Sequence, residues 1–160
     1  LLIFSSGASN NWQNNDSVVN QFSQKYKLLM LTNKKYTEKN VISKFVNFND
    51  VPKYLNAADI GIILRDDHII NNVASPIKFS EYVSCGLPVI TDGNVNQIND
   101  FINNYQCGNI ISNFEQIEEH INNLLGINRT IISKQGIESY GIKNNALKYL
   151  NEYIILKGEK

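Results

Sequence analysis

Apolar residues in this chain occur in two alternating patterns. Some form short unbroken runs: Leu1-Leu2-Ile3-Phe4, Leu28-Leu29-Met30-Leu31, Ile60-Gly61-Ile62-Ile63-Leu64, Leu87-Pro88-Val89-Ile90-Thr91 and Cys107 to Ile111. Runs of this length, closed by turn residues such as Ser5-Ser6-Gly7, Thr32-Asn33 and Asp92-Gly93-Asn94, predict strands buried on both faces. Val41 to Phe48 is a further, more polar strand candidate. Between the runs, apolar residues recur at helical spacing. Val18, Val19 and Phe22 follow Asp16, a candidate cap, and Asp50-Val51-Pro52 opens a short helix through Ala57. Ser75-Pro76 opens a helix to about Cys85, with Gly86 as its stop. Ile98, Phe101 and Ile102 mark another helix. Phe114–Leu125, Asn128–Tyr140 and 143–156 mark three more, the last with Ala146, Leu147, Leu150 and Ile154 on one stripe. Arg65 to Ala74 reads as a polar loop.

Strands alternating with helices predict an α/β, Rossmann-like, doubly wound parallel sheet of about six strands. No internal repeat or Gly/Ser/Pro-rich linker divides the chain, so residues 1–160 are expected to form a single domain. In such sheets ligands sit beyond the carboxyl ends of the strands, where the winding reverses. That directs attention to the loops Ser5–Asn11, Arg65–Ala74 and Thr91–Asn96.

Composition removes several function classes. Fifteen Lys+Arg against fifteen Asp+Glu give zero formal net charge, which speaks against a nucleic-acid partner. Two cysteines, Cys85 and Cys107, form no paired motif; they are expected to be small buried hydrophobes in a reducing compartment. No apolar run approaches the roughly 18 residues of a membrane span. Asparagine and isoleucine are abundant but scattered, as codon bias would scatter them. The chain begins inside an apolar run, without Met, and reads as a domain excised from something longer.

Residues 75 to 90, Ser-Pro-Ile-Lys-Phe-Ser-Glu-Tyr-Val-Ser-Cys-Gly-Leu-Pro-Val-Ile, carry the densest chemistry. A helix starting beyond a strand's carboxyl end turns its first amides and its positive dipole end toward the ligand side. Ser75 places a hydroxyl at the cap, and Lys78 and Glu81, three apart, share a face. Amides with Lys78 suit a phosphate; a carboxylate one turn on suits a vicinal diol such as ribose. Phosphate beside ribose is a nucleotide. The alternative is a plain surface ion pair between Lys78 and Glu81. His68, beside Asp66 and Asp67, is read as a solvated loop residue rather than a metal ligand or donor contact. Trp12 is read as domain-interface packing, Asp59 as a fold-serving hydrogen-bonding residue, and His120 as a surface residue.

The run Asp50-Val51-Pro52-Lys53-Tyr54-Leu55-Asn56-Ala57-Ala58-Asp59-Ile60-Gly61-Ile62, through Arg65 and on to Ile90, with Ser5-Ser6-Gly7 and Trp12-Gln13 as its start, resembles the donor-binding, C-terminal half of GT-B glycosyltransferases of the family-4-like group. The resemblance implies a domain that binds a nucleoside-diphosphate sugar as donor substrate, without cofactor or metal, normally preceded by an N-terminal acceptor-binding domain that this chain lacks. It implies that Glu81 holds the ribose hydroxyls, and that Lys78 and Ser75, with the amides around Ala74–Ile77, lie near the donor sugar and diphosphate, Val73 and Pro76 being donor-binding positions of the same segment. Val46–Val51, including Phe48, would line the base, and Gly7 would let the backbone approach the phosphates. Lys78 and Arg65 are the catalytic candidates, as cations facing the leaving diphosphate; Arg65 reads equally well as a solvated loop charge. Val73 stands where the family often has another Glu. The implied partners are the nucleotide sugar and a glycan or lipid-linked acceptor, in a bacterial cytoplasmic enzyme of polysaccharide biosynthesis with peripheral membrane association. A sugar-nucleotide epimerase of the same architecture and a non-catalytic Rossmann-like binding domain are the alternatives.

Overall fold

Parallel strands need a crossover between them, and every crossover here is helical except the one from residue 32 to residue 40. The computed structural model describes residues 1–7, 14–115 and 117–158. Six strands, β1 (Leu2–Ser6), β2 (Lys27–Leu31), β3 (Val41–Lys44), β4 (Ile60–Ile63), β5 (Val89–Thr91) and β6 (Gly108–Ile110), form one sheet in the order β3-β2-β1-β4-β5-β6. Every pairing is parallel. The helices are α1 (Asn15–Phe22), α2 (Val51–Ala57), α3 (Ile69–Asn72), α4 (Ile77–Ser84), α5 (Asn96–Tyr105), α6 (Ile117–Leu125), α7 (Arg129–Tyr140) and α8 (Ile142–Lys157).

The unbroken apolar runs have the predicted cause: the sheet is covered on both faces. Ile3, Leu28, Met30, Ile60, Ile62 and Ile90 pack with α1 and α6. Phe4, Leu29, Leu31, Ile63 and Val89 alternate with them onto the opposite face, with residues of α2, α4, α5 and α7. Gly61 leaves room on that second face for the Tyr82 ring, since a Cβ there would lie 2.5 Å from its Cδ2. Tyr82 is fully buried and meets Phe4 edge-on at 5.2 Å, an aromatic contact worth about 0.5–1.5 kcal/mol beyond its buried area. This ring locks α4 onto β1 and β4.

Four local expectations change. The third strand ends at Lys44, not Phe48. Thr32 N still donates to Lys44 O, but β2 has ended, so Phe45–Asn47 has no ladder partner and Phe48–Asp50 forms a 3-10 turn. The polar loop 65–74 contains α3, whose single turn is held by side chains rather than periodicity. His68 Nδ1 accepts from Ile70 N at 3.2 Å, and buried Asn71 donates to Asp66 O at 2.8 Å. The first helix is capped by Asn14 in the left-handed conformation, leaving Asp16 in the first turn, where it accepts from Lys34 and Tyr36. The apolar stripe of α8 is exposed: no residue of that helix is buried. Trp12 and the first loop beyond Gly7 lie outside the described residues.

Candidate functional site

In the order β3-β2-β1-β4 the winding reverses between β1 and β4, so the crevice of this sheet opens beyond their carboxyl ends. Gly7 leaves β1 with φ 149°, a conformation side chains rarely adopt, and its N–H bonds Leu31 O at 3.0 Å. On this edge lies a cleft of about 330 Å³ lined by Ser6, Gly7, Leu31, Thr32, Asn33, Phe45, Val46, Phe48, Val51, Lys78 and Glu81. Gly7 and Phe48, singled out by the resemblance, thus line one cleft with Lys78 and Glu81.

Helix α4 aims Lys78 and Glu81 into this cleft. Its N-cap is Pro76, and no side chain caps it, so the Ser75 hydroxyl does not serve the role expected of it. Lys78 Nζ donates to the main-chain carbonyl of Ser6, at the end of β1. The Ser6 hydroxyl in turn shares a 3.1 Å hydrogen bond with the Tyr82 hydroxyl. Lys78 is therefore a cation held against the sheet edge rather than half of an exposed ion pair. Burial, then the nearby Arg65 charge, lower its pKa to about 7, against a weaker upward pull from Glu81. Burial raises the Glu81 carboxyl, with Lys78 opposing.

Arg65 lies two residues beyond the end of β4. It is 5% exposed, which removes the reading of a solvated loop charge. Its main chain is clamped to the turn after β5: its N–H donates to Asp92 Oδ2 at 2.6 Å, and its carbonyl accepts from Asn94 Nδ2 at 2.7 Å. Burial lowers its pKa, yet a guanidinium stays charged. Arg65 lies outside the cleft lining but close enough to shift Lys78.

The rest of the predicted segment, Val73 to Pro76, does not line the cleft. Val73, the C-cap of α3, is 82% exposed; Ala74 is half-buried with its N–H on Asn71 O, and Ser75 is exposed. Asp59 serves the fold, its carboxylate accepting from Leu2 N at 2.7 Å. Among the described residues no group of three or more His, Cys, Asp or Glu side chains could hold a metal ion.

Sequence reasoning missed Phe45, Thr32 and Asn33 on the cleft wall, and Asp92 and Asn94 behind Arg65. The Asp-Gly-Asn turn was visible, but its use as a clamp depends on β4 and β5 being neighbours. Arg129 was missed too. Its Nε donates to Gly86 O at 3.0 Å and its Nη1 to Ala58 O at 2.8 Å, tying α4 to the approach to β4.

A family model described as the C-terminal domain of glucosyltransferase 3-like proteins matches residues 6–128. The chain belongs to this family. Glucosyltransferase 3-like C-terminal domains share their fold here with solved GT-B enzymes. AviGT4, a glycosyltransferase involved in avilamycin A biosynthesis, superposes with TM-score 0.71 at 14% identity, over 100% of this chain and 52% of its own. WaaG, a glycosyltransferase involved in lipopolysaccharide biosynthesis, gives 0.62 at 19% identity, over 84% of this chain and 41% of its own. A mutant of the T4 phage protein BGT, in complex with UDP-glucose, gives 0.62 at 16% identity, over 92% of this chain and 47% of its own. The chain thus spans about half the length of these proteins, and at these identities the likeness shows the fold. A comparison with curated protein sequences returns no match. Family and fold together make this a GT-B glycosyltransferase C-terminal domain, with the Rossmann-like parallel sheet expected from the strand pattern. No helix among the described residues is long and apolar enough to cross a membrane.

Proposed function

We propose that the cleft beyond β1, β2 and β3 binds the nucleoside diphosphate of a sugar donor, and that the chain is the donor-binding part of a glycosyltransferase. One observation carries the reading. Lys78 and Glu81, one turn apart on α4, line the same cleft, with the ammonium at the end of β1. Lys78 faces the diphosphate and Glu81 accepts two hydrogen bonds from the ribose diol. As the glycosidic bond of the donor breaks, negative charge grows on the leaving diphosphate. Lys78, Arg65 and the uncapped amide end of α4 stabilise that charge from positions fixed before the reaction. Val73 in place of a carboxylate leaves the donor sugar to the amides of Ser75 and Ile77, since the Ala74 N–H is bonded to Asn71 O and Pro76 has none.

The acceptor, a glycan or a lipid-linked saccharide, is held by another part of the full-length enzyme. The 160-residue chain alone therefore binds donor without transferring sugar. A sugar-nucleotide epimerase would need an acid or base over the sugar ring; His68 instead spends Nδ1 on capping α3 and lines no part of the cleft. Calorimetry of the chain with UDP, GDP and ADP tests the reading. Saturable binding of at least one is expected, with no glycosyl transfer. No heat from any of the three removes the nucleotide site, and transfer by the chain alone removes the claim that the acceptor is held elsewhere.

A further inference from the structure

The ladder between β1 and β4 is shorter than the one between β1 and β2. With β2 the register runs on to Ser6↔Leu31, whereas with β4 it stops at Phe4↔Gly61. Along a strand the main-chain groups of alternate residues turn to opposite neighbours. Leu2 O accepts from Asp59 N at 2.9 Å on the β4 side, and Gly7 N donates to Leu31 O at 3.0 Å on the β2 side. The Ser6 main chain therefore faces β4 at the point where that ladder has ended. A strand end drawn into a folded wall needs other partners, and α4 supplies them. Lys78 Nζ donates to the Ser6 carbonyl, and the Tyr82 hydroxyl shares a 3.1 Å hydrogen bond with Ser6 Oγ. Side chains four apart lie on one face of a helix, so both reach the same residue.

The two grips differ in rigidity. Lys78 is an ammonium on a flexible four-carbon stem. Tyr82 is fully buried, stands edge-on to Phe4 at 5.2 Å and fills the slot that Gly61 leaves. Its hydroxyl has a fixed place, and a buried hydroxyl deprived of its partner costs more than the bond contributes. Ser6 lines the cleft and is followed by Gly7 at φ 149°, where the chain turns out of the sheet. The acceptor of the ammonium is thus held from behind by a phenol that does not itself line the cleft.

We infer that Tyr82 is a positioning residue of this site: its hydroxyl fixes Ser6, and Ser6 fixes where the Lys78 ammonium meets the diphosphate. The inference rests on the nucleotide reading proposed above. Calorimetry with UDP and inorganic pyrophosphate tests it on wild type, Tyr82→Phe, Ser6→Ala, Lys78→Met, and each of the first two variants combined with Lys78→Met. Thermal melts show which variants fold. Tyr82→Phe keeps the ring. Ser6→Ala, at a half-buried position, removes the same bond from its other side and keeps the carbonyl, so it carries the test if Tyr82→Phe does not fold. Each should weaken UDP and pyrophosphate alike by about 3- to 10-fold, the scale of a net hydrogen bond. In the Lys78→Met background neither should weaken binding further, because residues that act through one another are not additive. A loss that persists in that background, or affinities unchanged by Tyr82→Phe and Ser6→Ala, overturns the positioning role while the nucleotide site stands. Failure of wild type to bind either ligand removes the nucleotide reading, and the positioning role with it.

Discussion

At its C-terminal end α4 stops in a closed lattice of hydrogen bonds; at its N-terminal end the same helix projects into a cleft. Where it stops, Gly86 takes φ 72°, Gly86 N bonds Val83 O and Leu87 N bonds Tyr82 O, both at 2.9 Å, the Schellman pattern that satisfies terminal carbonyls. Ser133 Oγ donates to Ser84 O at 2.7 Å, and Arg129 to Gly86 O. Gly136 lets α7 approach the backbone of Val83 directly. Where it starts, no side chain caps it, and burial lowers the pKa of the half-exposed Lys78 to about 7. One end contributes stability and a fixed position. The other carries a half-buried cation whose desolvation costs stability. The difference shows how a helix can hold reactive groups at one end because the other end is immobile.

Three changes break or sharpen that contrast, the largest first. Gly136→Ala puts a Cβ within 2.6 Å of Val83 C and 2.7 Å of Ser84 N, backbone that cannot yield without moving α7. Overpacking of this kind costs about 1–3 kcal/mol, which for this size lowers Tm by about 2–12 °C. Scanning calorimetry checks it; an unchanged Tm would mean that the closed end is not what anchors α4.

Lys78→Met acts at the other end and in the opposite sense. Nucleotide affinity should fall by about 10- to 100-fold, as expected for a lost charge-assisted hydrogen bond, while the ligand-free chain melts no lower at neutral pH. The pH dependence has a definite sign. Burial holds the folded pKa of Lys78 near 7, below the ordinary 10.5, so between those values the unfolded chain binds more protons. Wild-type stability relative to Lys78→Met therefore rises with pH from about 7 to 10.5, and the penalty is fully present below 7. Because the ligand wants the ammonium, UDP affinity should weaken as pH climbs above 7 in wild type only. Parallel melting and titration curves for the two proteins would contradict this.

Glu81→Gln is the mildest change. UDP should bind about 3- to 10-fold more weakly, the scale of a net hydrogen bond, and 2′-deoxy-UDP, lacking one hydroxyl of the diol, should lose less. Burial raises the Glu81 pKa, so the variant should melt no lower than wild type. Equal losses for UDP and its deoxy analogue would show that Glu81 does not grip the diol.

How far these features are legible in the sequence varies with their range. The strands were readable because a strand covered on both faces is an unbroken apolar run. The third strand was overextended because it lies at the sheet edge with an alternating, half-exposed pattern, and its end is set by where β2 stops. In α8 the periodicity gave a helix and a stripe, but Leu147 and Leu150 are 51% and 53% exposed. Spacing decides which residues share a face and says nothing of what covers it. At the site, Lys78 and Glu81 stood out because a helix places residues three apart together. Phe45 did not, because only the sheet order brings the ends of β3 and β1, with β2 between them, to one cleft.

By itself, then, the sequence determined what depends on neighbours along the chain: the six strands, the helix that begins near Ser75, its stop at Gly86, and the pairing of Lys78 with Glu81 on one face. Only the tertiary structure decided the depth at which Lys78 and Arg65 sit, the clamp of Arg65 on Asp92, and the meeting of three strand ends at one cleft. The reason is physical. Helix and strand geometry follow from local sterics and periodicity, whereas desolvation and electrostatic coupling arise between groups that segments distant in sequence bring together.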